Sequence, residues 1–141
     1  MKNRNLEHKD DWGTPAYIIE PLREEFGEMF DPCPLNHNLD LWDGLLIDWK
    51  ETNFINPPYS RNLKEAFIRK AYEESLKGKV CILLLPVSTS TRVFHEVIYN
   101  KAEIRFIRGR VKFSGINTYG QPVNNKCGMF DSMLVIFRGH R

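Results

Sequence analysis

The segment Val80-Cys81-Ile82-Leu83-Leu84-Leu85 places six apolar residues in a row, and Pro86 closes it. A strand with one solvated face alternates apolar and polar side chains, whereas an unbroken apolar run of this length is typical of a strand covered on both faces. Pro86 has no backbone N–H to donate to a sheet, so it marks the end of the strand. We therefore predict a central strand at this position.

The first helix is predicted over residues 15–26. Its apolar residues recur every three or four positions and stop at Gly27. Thr14 is a good N-cap, and Pro15 suits the first helical position because its missing N–H would have no partner there. The sequence therefore predicts that the Thr14 side chain caps this helix.

A second helix is predicted over residues 62–77. Asn62 and Glu65 have the spacing of a capping signal, and Gly78 suits the backbone that ends many helices. Strands are predicted at 28–31, 53–55, 103–107, 110–113 and 132–137. A short helix is predicted through 93–98, capped within 88–90. The remaining segments are a loop or irregular helix at 35–52 and a polar connection rich in Gly and Asn at 114–131. Because strands alternate with helices, we predict an α/β fold with a central mixed sheet flanked by helices.

The bulk composition is that of one ordinary globular domain: 141 residues, 42% apolar and 27% charged. No apolar run is long enough to span a bilayer, and the polar start of the chain does not resemble a secretory signal. We expect a polar segment at 1–11, a single domain at 12–141 and a place in the cytoplasm. Three cysteines stand far apart, without the paired spacing of a zinc site or redox dithiol: Cys33, Cys81 and Cys127. No metal is expected.

Charge is divided unevenly along the chain. Residues 1–70 hold 9 Lys and Arg against 13 Asp and Glu, a net charge of −4, whereas residues 71–141 hold 11 against 5, a net charge of +6. Four cations crowd into eight positions of the second half: Arg105, Arg108, Arg110 and Lys112. This asymmetry favours a polyanionic partner such as nucleic acid, although a solvated strand face explains the cluster equally well.

The turn Asn56-Pro57-Pro58-Tyr59 combines an amide, two rigid imino acids and an aromatic ring. The amino group of adenine is a poor nucleophile because its lone pair is delocalised into the ring. The Asn56 side-chain oxygen and the Pro57 carbonyl can accept the two N–H bonds of such a group, while the prolines keep the turn stiff. Tyr59 can stack on the face of the base. The quartet therefore predicts methylation of an amino nitrogen on a planar base.

The chemistry of this turn needs neither a metal nor a covalent intermediate. Acceleration would come from positioning, and from acceptors that favour the positive charge developing on nitrogen. Because the target atom lies inside a duplex, the nucleotide would have to swing out. Asp31 and Asn56 both follow predicted strands, and ligands of α/β sheets bind beyond the carboxyl ends of strands. We expect these two side chains to face one crevice.

Several blocks of the sequence, in their order and spacing, resemble the small phage and prophage DNA N6-adenine methyltransferases, often called phage Dam-type. The resemblance runs from Trp12 nearly to the C-terminus. The blocks are Trp12-Gly13-Thr14-Pro15, Asp31-Pro32-Cys33, Asp43-Gly44-Leu45 with Trp49, Asn56-Pro57-Pro58-Tyr59-Ser60, Leu84-Leu85-Pro86, and the segment from Arg105 to Phe113.

The resemblance implies a compact Rossmann-like methyltransferase that moves a methyl group from S-adenosylmethionine to N6 of a flipped-out adenine in DNA, in a bacterial host cell. The catalytic residues on this resemblance are Asn56, Pro57, Pro58 and Tyr59. The cofactor-binding residues are Trp12, Thr14, Pro15, Asp31, Pro32, Cys33 and Asp43. Asp43 is expected to hold the ribose hydroxyls, with Asp40 as its rival. One departure stands out: larger relatives carry a glycine-rich turn after the Asp31 equivalent, and here Pro32-Cys33-Pro34 replaces it.

No separate target-recognition domain is expected, so DNA would be read by loops. The candidate DNA-binding residues are Arg61, Asn62, Arg92, Arg108, Arg110 and Lys112. A small interface limits specificity unless two copies share one site. We therefore expect a short or relaxed sequence preference, and a homodimer is plausible for so small a chain.

Other functions remain open from the sequence. The same turn also serves enzymes that methylate glutamine amides of proteins or guanine amino groups of ribosomal RNA. The basic second half favours a polyanion but does not separate DNA from RNA. A non-catalytic DNA-binding relative is a further alternative, which the intact quartet disfavours because binding alone needs no pair of amide acceptors.

Overall fold

The computed structural model describes residues 14–33, 43–58, 60–116, 122–127 and 131–139, with the backbone alone described in 112–116 and 122–127. The elements in chain order are α1 (Ala16–Phe26), β1 (Thr52–Ile55), α2 (Arg61–Ser75), β2 (Val80–Pro86), a π-helical segment (Phe94–Ile98), β3 (Glu103–Phe106), β4 (Lys112–Ile116), β5 (Pro122–Cys127) and β6 (Ser132–Phe137). No helix within these ranges has the length and apolarity needed to cross a membrane.

The main sheet is mixed, with strand order β1-β2-β6-β3. β1 and β2 are parallel, with Phe54 beside Ile82. β6 runs antiparallel to both β2 and β3, which gives β3 the same direction as β1 and β2. The apolar run is therefore an interior strand, and the prediction of a central strand in a mixed sheet is confirmed.

Phe30 extends this sheet beyond β1. It forms a parallel bridge with Asn53, donating to the Thr52 carbonyl at 2.9 Å and accepting from the Phe54 N–H at 2.9 Å. The strand predicted at 28–31 is thus reduced to a single bridging residue. Because the bridge is parallel, the chain leaves it toward the same edge of the sheet at which β1 ends.

The core lies on both faces of β2. On one face Ile82 and Leu84 pack with α1, and on the other Leu83 and Leu85 pack with α2 and the π-helical segment. Alternate residues of one strand thus enter two different clusters, because successive side chains of a strand point to opposite faces. This explains why no position of the run is polar.

Three predicted helix caps are wrong, and the first is that of α1. α1 begins at Ala16 with Pro15 as its N-cap residue and without a side-chain cap, and the Pro15 carbonyl accepts the Ile18 and Ile19 N–H groups at 3.0 and 3.2 Å. Thr14 therefore does not cap this helix. Its C-terminal end at Gly27, where φ is 86°, is confirmed.

The second helix begins one residue earlier than predicted. α2 starts at Arg61 after Ser60, without a side-chain cap, so Asn62 lies within its first turn. Gly78, with φ of 96°, follows the end of α2 as predicted. The cap expected within 88–90 is instead provided by Thr91, whose hydroxyl accepts the Phe94 N–H at 3.2 Å.

The polar connection at 114–131 contains structure that its composition did not predict. β4 and β5 pair antiparallel in a second sheet, with a register irregularity between Phe113 and Gly115. The strand predicted at 110–113 is accordingly displaced toward the C-terminus, to Lys112–Ile116. β3 and β6 agree closely with their predictions.

Candidate active site

Asn56 leaves the carboxyl end of β1 and contacts the residue before α1. Its Nδ2 donates a hydrogen bond to the Thr14 hydroxyl oxygen at 3.3 Å. Thr14 is 5% exposed, and Pro57 beside Asn56 is also buried. A buried hydroxyl thus holds the amide that was predicted to be catalytic.

This contact determines the orientation of the Asn56 amide. An amide has one acceptor oxygen and one donor nitrogen, and here the nitrogen is directed toward Thr14. The side-chain oxygen is therefore directed away from Thr14 and can accept an N–H from a ligand. That is the polarity which an amino-group substrate requires.

Asp31 lies one strand away, at the same edge of the sheet, directly after the Phe30 bridge. Its Oδ1 accepts the backbone N–H of Cys33 at 2.8 Å, which closes a tight turn over Pro32. The bridge and β1 are parallel and lie side by side. Asp31 therefore follows the carboxyl end of the bridge, and Asn56 follows the carboxyl end of β1. The two residues therefore lie at one edge of the sheet, and the expectation that their side chains face one crevice stays a prediction.

Asp43 is brought to this edge by a second turn. Its Oδ1 accepts the Leu45 N–H at 3.0 Å, and its carbonyl accepts the Leu46 N–H at 2.9 Å. Gly44 lies so close to the first turn that a Cβ there would be 1.9 Å from the Pro32 carbonyl oxygen. The two acidic turns are therefore packed directly on each other.

Trp49 anchors the turn of Asp43. Its indole Nε1 donates to the Gly44 carbonyl at 2.8 Å, and its ring stacks on Phe67 of α2 with centroids 6.4 Å apart. Trp49 is 3% exposed. Trp49 is thus a packing residue, and its N–H anchors the loop of Asp43.

The pKa of Cys33 is affected by burial and by both acids. Burial raises the pKa of the Cys33 thiol, and the charges of Asp31 and Asp43 raise it further, to about 12. Burial likewise raises the pKa of Cys81 to about 12. Both thiols stay protonated at neutral pH, so neither is a nucleophile.

The structure therefore brings predicted site positions together in two groups at this edge of the sheet. One group is Thr14 with Asn56, and the other is Asp31, Cys33 and Asp43. Three further predicted residues lie outside the described residues: Trp12, Asp40 and Tyr59. Within the described ranges no group of three or more His, Cys, Asp or Glu side chains is arranged to hold a metal ion.

The cationic candidates are spread over the surface beyond this edge. Arg61 and Arg92 have side chains 85% and 88% exposed, and each has a long ion pair on its own helix or segment, to Glu65 at 3.9 Å and to Glu96 at 3.4 Å. Asn62 is exposed in the first turn of α2. Arg61 and Asn62 follow the Asn56 turn directly in the chain.

The four cations of the basic cluster in the second half have different surroundings in the structure. Arg105 donates to both oxygens of Glu25 at 2.8 Å and to Glu103 at 2.6 Å, so it is an internal partner of α1 rather than a free cation. Arg110 lies 3.8 Å from Asp131 and Arg108 is exposed. The side chain of Lys112 lies outside the described part of the chain. These ion pairs favour a structural role for Arg105 over phosphate binding.

Sequence reasoning missed one position of the site and one contact. Gly44 is needed because the Pro32 carbonyl occupies the place of a side chain, and Thr14 was assigned to the wrong partner. Gly44 could have been noticed, since it adjoins an acid expected at a ligand. No local signal in the sequence indicates that Thr14 meets Asn56, 42 residues later.

The comparisons with known proteins agree on one family. The family described as DNA N-6-adenine-methyltransferase (Dam) matches residues 2–141. A DNA N-6-adenine-methyltransferase of Haemophilus phage HP1 (strain HP1c1) is 32% identical over 149 residues, which cover 96% of this chain and 82% of the phage protein.

A second relative is matched over a shorter stretch. The DNA N-6-adenine-methyltransferase of Escherichia phage T1 is 31% identical over 109 residues, covering 70% of this chain and 45% of that protein. No solved structure matches significantly. The family match over residues 2–141, together with the Haemophilus phage relative, shows that this chain belongs to the DNA N-6-adenine-methyltransferase (Dam) family.

Proposed function

We propose that Asn56 is the catalytic residue of this adenine-N6 DNA methyltransferase and that S-adenosylmethionine is its methyl donor. The reaction follows from the family: the chain transfers a methyl group to N6 of adenine in DNA. The single observation that carries the residue assignment is the hydrogen bond from Asn56 Nδ2 to Thr14, because it leaves the amide oxygen for the substrate.

Asn56 and Pro57 activate the amino group by accepting its two hydrogens. With both N–H bonds directed at the Asn56 oxygen and the Pro57 carbonyl, the nitrogen lone pair is turned out of conjugation with the ring. The same two acceptors stabilise the positive charge that develops on nitrogen, and the methylated nitrogen then gives up one proton. When bound, S-adenosylmethionine supplies an electrophilic methyl group.

The acidic edge is suited to the cofactor. S-adenosylmethionine carries ribose hydroxyls and an ammonium group, which donate hydrogen bonds. Ionised carboxylates accept such bonds. We assign the ribose to Asp43 and the neighbouring part of the cofactor to Asp31, Pro32 and Cys33. Thr14 and Pro15, with Trp12 before them, are assigned to the amino-acid end.

The topology supports a Rossmann-like methyltransferase fold. Helices cover both faces of a sheet in which a single strand, β6, opposes the direction of its neighbours. The acids and Asn56 both lie beyond the carboxyl ends of the parallel part, where ligands of α/β sheets bind. DNA in the cytoplasm of a bacterial host is the substrate that we assign to it.

DNA is read by loops of this single domain. The target adenine is flipped out of the duplex and stacked on Tyr59. Arg61, Arg92 and Arg108 are exposed cations that contact phosphates. Such a small interface supports a short or relaxed recognition sequence.

The test is methyl transfer from labelled S-adenosylmethionine to unmethylated duplex DNA, with the modified nucleoside identified by mass spectrometry. Wild type should produce N6-methyladenine. Asn56→Ala should lower kcat by about 10²–10³, the range for loss of one charge-stabilising contact. Its cofactor affinity and melting temperature should stay close to those of wild type.

Parallel reactions with RNA and with a glutamine-containing protein separate the alternatives. Label that enters either of them, but not DNA, would contradict the DNA assignment. Full activity of Asn56→Ala would contradict the residue assignment while leaving the reaction intact.

A further inference from the structure

A cavity of about 220 Å³, here called the β2 pocket, opens at the carboxyl end of β2. It is lined by the first half of α2, the end of β2, the π-helical segment with the loop before it, and Met133 of β6. Arg61 begins α2 only five residues after Asn56, and β2 is the neighbour of β1. The pocket is therefore at the same edge of the sheet as the active site, one strand further on.

The walls of the β2 pocket are apolar, and its rim is polar. Six of its apolar residues are buried: Ile68, Leu85, Val93, Phe94, Ile98 and Met133. The rim carries the Ser88 hydroxyl, the Glu65 carboxylate and the cations Arg61 and Lys64. A nucleotide in DNA has a base with apolar faces and polar edges, and a phosphate beside it. These groups match the walls, the rim and the cations of the pocket.

The size of the pocket also favours one base. Sites for drug-sized ligands occupy roughly 300–1,000 Å³, so a cavity of about 220 Å³ is too small for a whole nucleoside cofactor. A single nucleobase suits it, with the backbone phosphate outside at Arg61 and Lys64. Aromatic and apolar walls hold unstacked bases regardless of sequence, while polar edges discriminate among them.

The occupant is not the target adenine. The target must present its amino group to Asn56 and Pro57, and neither of these described residues lines the pocket. A base seated against Phe94 therefore belongs to another nucleotide of the same strand. This step rests on the proposed function of Asn56.

The wall that faces α2 is held in place by its own contacts. The Thr91 hydroxyl accepts the Phe94 N–H at 3.2 Å, and Phe94 stacks on Tyr99 with centroids 6.0 Å apart. The segment itself is π-helical, a rare geometry that is frequent at functional sites. Its wide turn directs Phe94 and Ile98 toward the same cavity.

We propose that the β2 pocket binds an unstacked base next to the target adenine and so sets the sequence preference of the enzyme. The polar rim supplies the discrimination: Glu65 accepts from a base amino group, and the Ser88 hydroxyl can donate or accept. Arg61 and Lys64 contact the phosphate of that nucleotide. The pocket is thus a second nucleotide site on the DNA strand.

The test fills the pocket at its exposed rim. Ser88→Trp places an indole at the mouth, and Ser90→Trp is the matched control because Ser90 is exposed in the same loop but does not line the cavity. Both variants are assayed for melting temperature, S-adenosylmethionine affinity, kcat, KM for DNA, and the methylated sequences across a long unmethylated DNA.

Ser88→Trp should raise KM for DNA about ten- to hundredfold, the loss expected for one stacked base. Its base preference at one position beside the methylated adenine should also be weakened or altered. Its cofactor affinity and melting temperature, and all properties of Ser90→Trp, should match wild type. This combination would support the second nucleotide site.

Two results would overturn the proposal. Unchanged KM and unchanged methylated sequences in Ser88→Trp would show that no base enters the pocket. A lower kcat with the same KM and the same sequences would assign the pocket to the target adenine itself. Absence of N6-methyladenine with wild type would instead contradict the proposed function, and this proposal with it.

Discussion

Asn56 Nδ2 lies 3.3 Å from the Thr14 hydroxyl oxygen, so the residue that precedes α1 orients the amide at the end of β1. Thr14 is buried, and the Pro15 carbonyl after it caps α1 through the backbone. Because the helix needs no side-chain cap, the hydroxyl is available to Asn56. One residue thus couples the start of the fold to the proposed catalytic group.

Replacing Thr14 by Val should reduce kcat without reducing DNA affinity. Val keeps the shape of Thr but has no oxygen to accept the amide N–H, so the Asn56 side chain is free to rotate. The loss of one hydrogen bond of about 0.5–1.5 kcal/mol corresponds to a roughly two- to tenfold lower kcat. Steady-state kinetics with duplex DNA measures it.

Thr14→Ser is the matched control for this prediction. It retains the hydroxyl and should recover most of the wild-type kcat. If Thr14→Ser and Thr14→Val were equally impaired, the methyl group of Thr14 rather than its hydroxyl would be the important contact.

Gly44→Ala should weaken both the fold and the cofactor site. The added Cβ would lie 1.9 Å from the Pro32 carbonyl oxygen, so the turns of Asp31 and Asp43 must separate. Overpacking of this kind costs about 1–3 kcal/mol. We expect a lower free energy of unfolding and a higher Kd for S-adenosylmethionine, measured by denaturant titration and calorimetry.

Leu46→Ala is the control for Gly44, because Leu46 belongs to the same turn but is 82% exposed. Its free energy of unfolding should change by less than about 0.5 kcal/mol. Cofactor affinity that is unchanged in Gly44→Ala would separate the Asp43 turn from cofactor binding.

The sequence predicted those parts of the fold whose signals are local. The apolar run of β2 requires cover on both faces, and Gly27 and Gly78 mark helix ends by their backbone freedom. The hairpin of β4 and β5 was missed because its residues are polar and rich in Asn and Gly, so neither strand carries an alternating pattern.

The candidate site was predictable as chemistry but not as contacts. The Asn56 turn and the acids Asp31 and Asp43 were recognisable because their residue types suit an amino group and a cofactor. The bond between Thr14 and Asn56 depends on tertiary packing, which overrode a good local capping signal. The ion pair of Arg105 with Glu25 was not predicted for the same reason, since Glu25 is 80 residues away in sequence.

Arg108 and Arg105 should differ in their effect on DNA binding. Arg108 is exposed, whereas Arg105 is engaged by Glu25 and Glu103. Arg108→Gln should lower the slope of log Kd against log salt by about 0.9, the value for one phosphate contact on duplex DNA. Arg105→Gln should leave that slope unchanged and instead reduce stability.

Fluorescence anisotropy with labelled duplex DNA at several salt concentrations measures both slopes. A reduced slope for Arg105→Gln would mean that this arginine exchanges Glu25 for a phosphate in the complex. Equal slopes for Arg108→Gln and wild type would remove Arg108 from the DNA interface.

Glu74 should make the protein sensitive to acid. Its side chain is 1% exposed, and Lys70, Lys77 and Lys79 surround it. Burial alone would raise the pKa of Glu74, but hydrogen bonds from the three lysines outweigh burial and lower it to about 2. The ionised carboxylate therefore stabilises the folded state at neutral pH.

The direction of the pH effect follows from that lowered pKa. Because the pKa falls from 4.5 in the unfolded chain to about 2 in the folded protein, the contribution is fully present above about pH 5 and is lost as the pH falls toward 2. At 1.36 kcal/mol for each pKa unit, it amounts to roughly 2–4 kcal/mol.

Denaturant titrations from pH 7 to pH 2 on wild type and Glu74→Gln test this contribution. Arginine partners also lower the pKa values of Glu25, Glu96 and Glu103, but both proteins share those groups, so the difference between the two curves isolates Glu74. Glu74→Gln should be less stable at pH 7, because half-buried lysines lose their counter-charge, and the two curves should converge as the pH falls. Parallel curves would show that the lysines do not hold the carboxylate in its charged form.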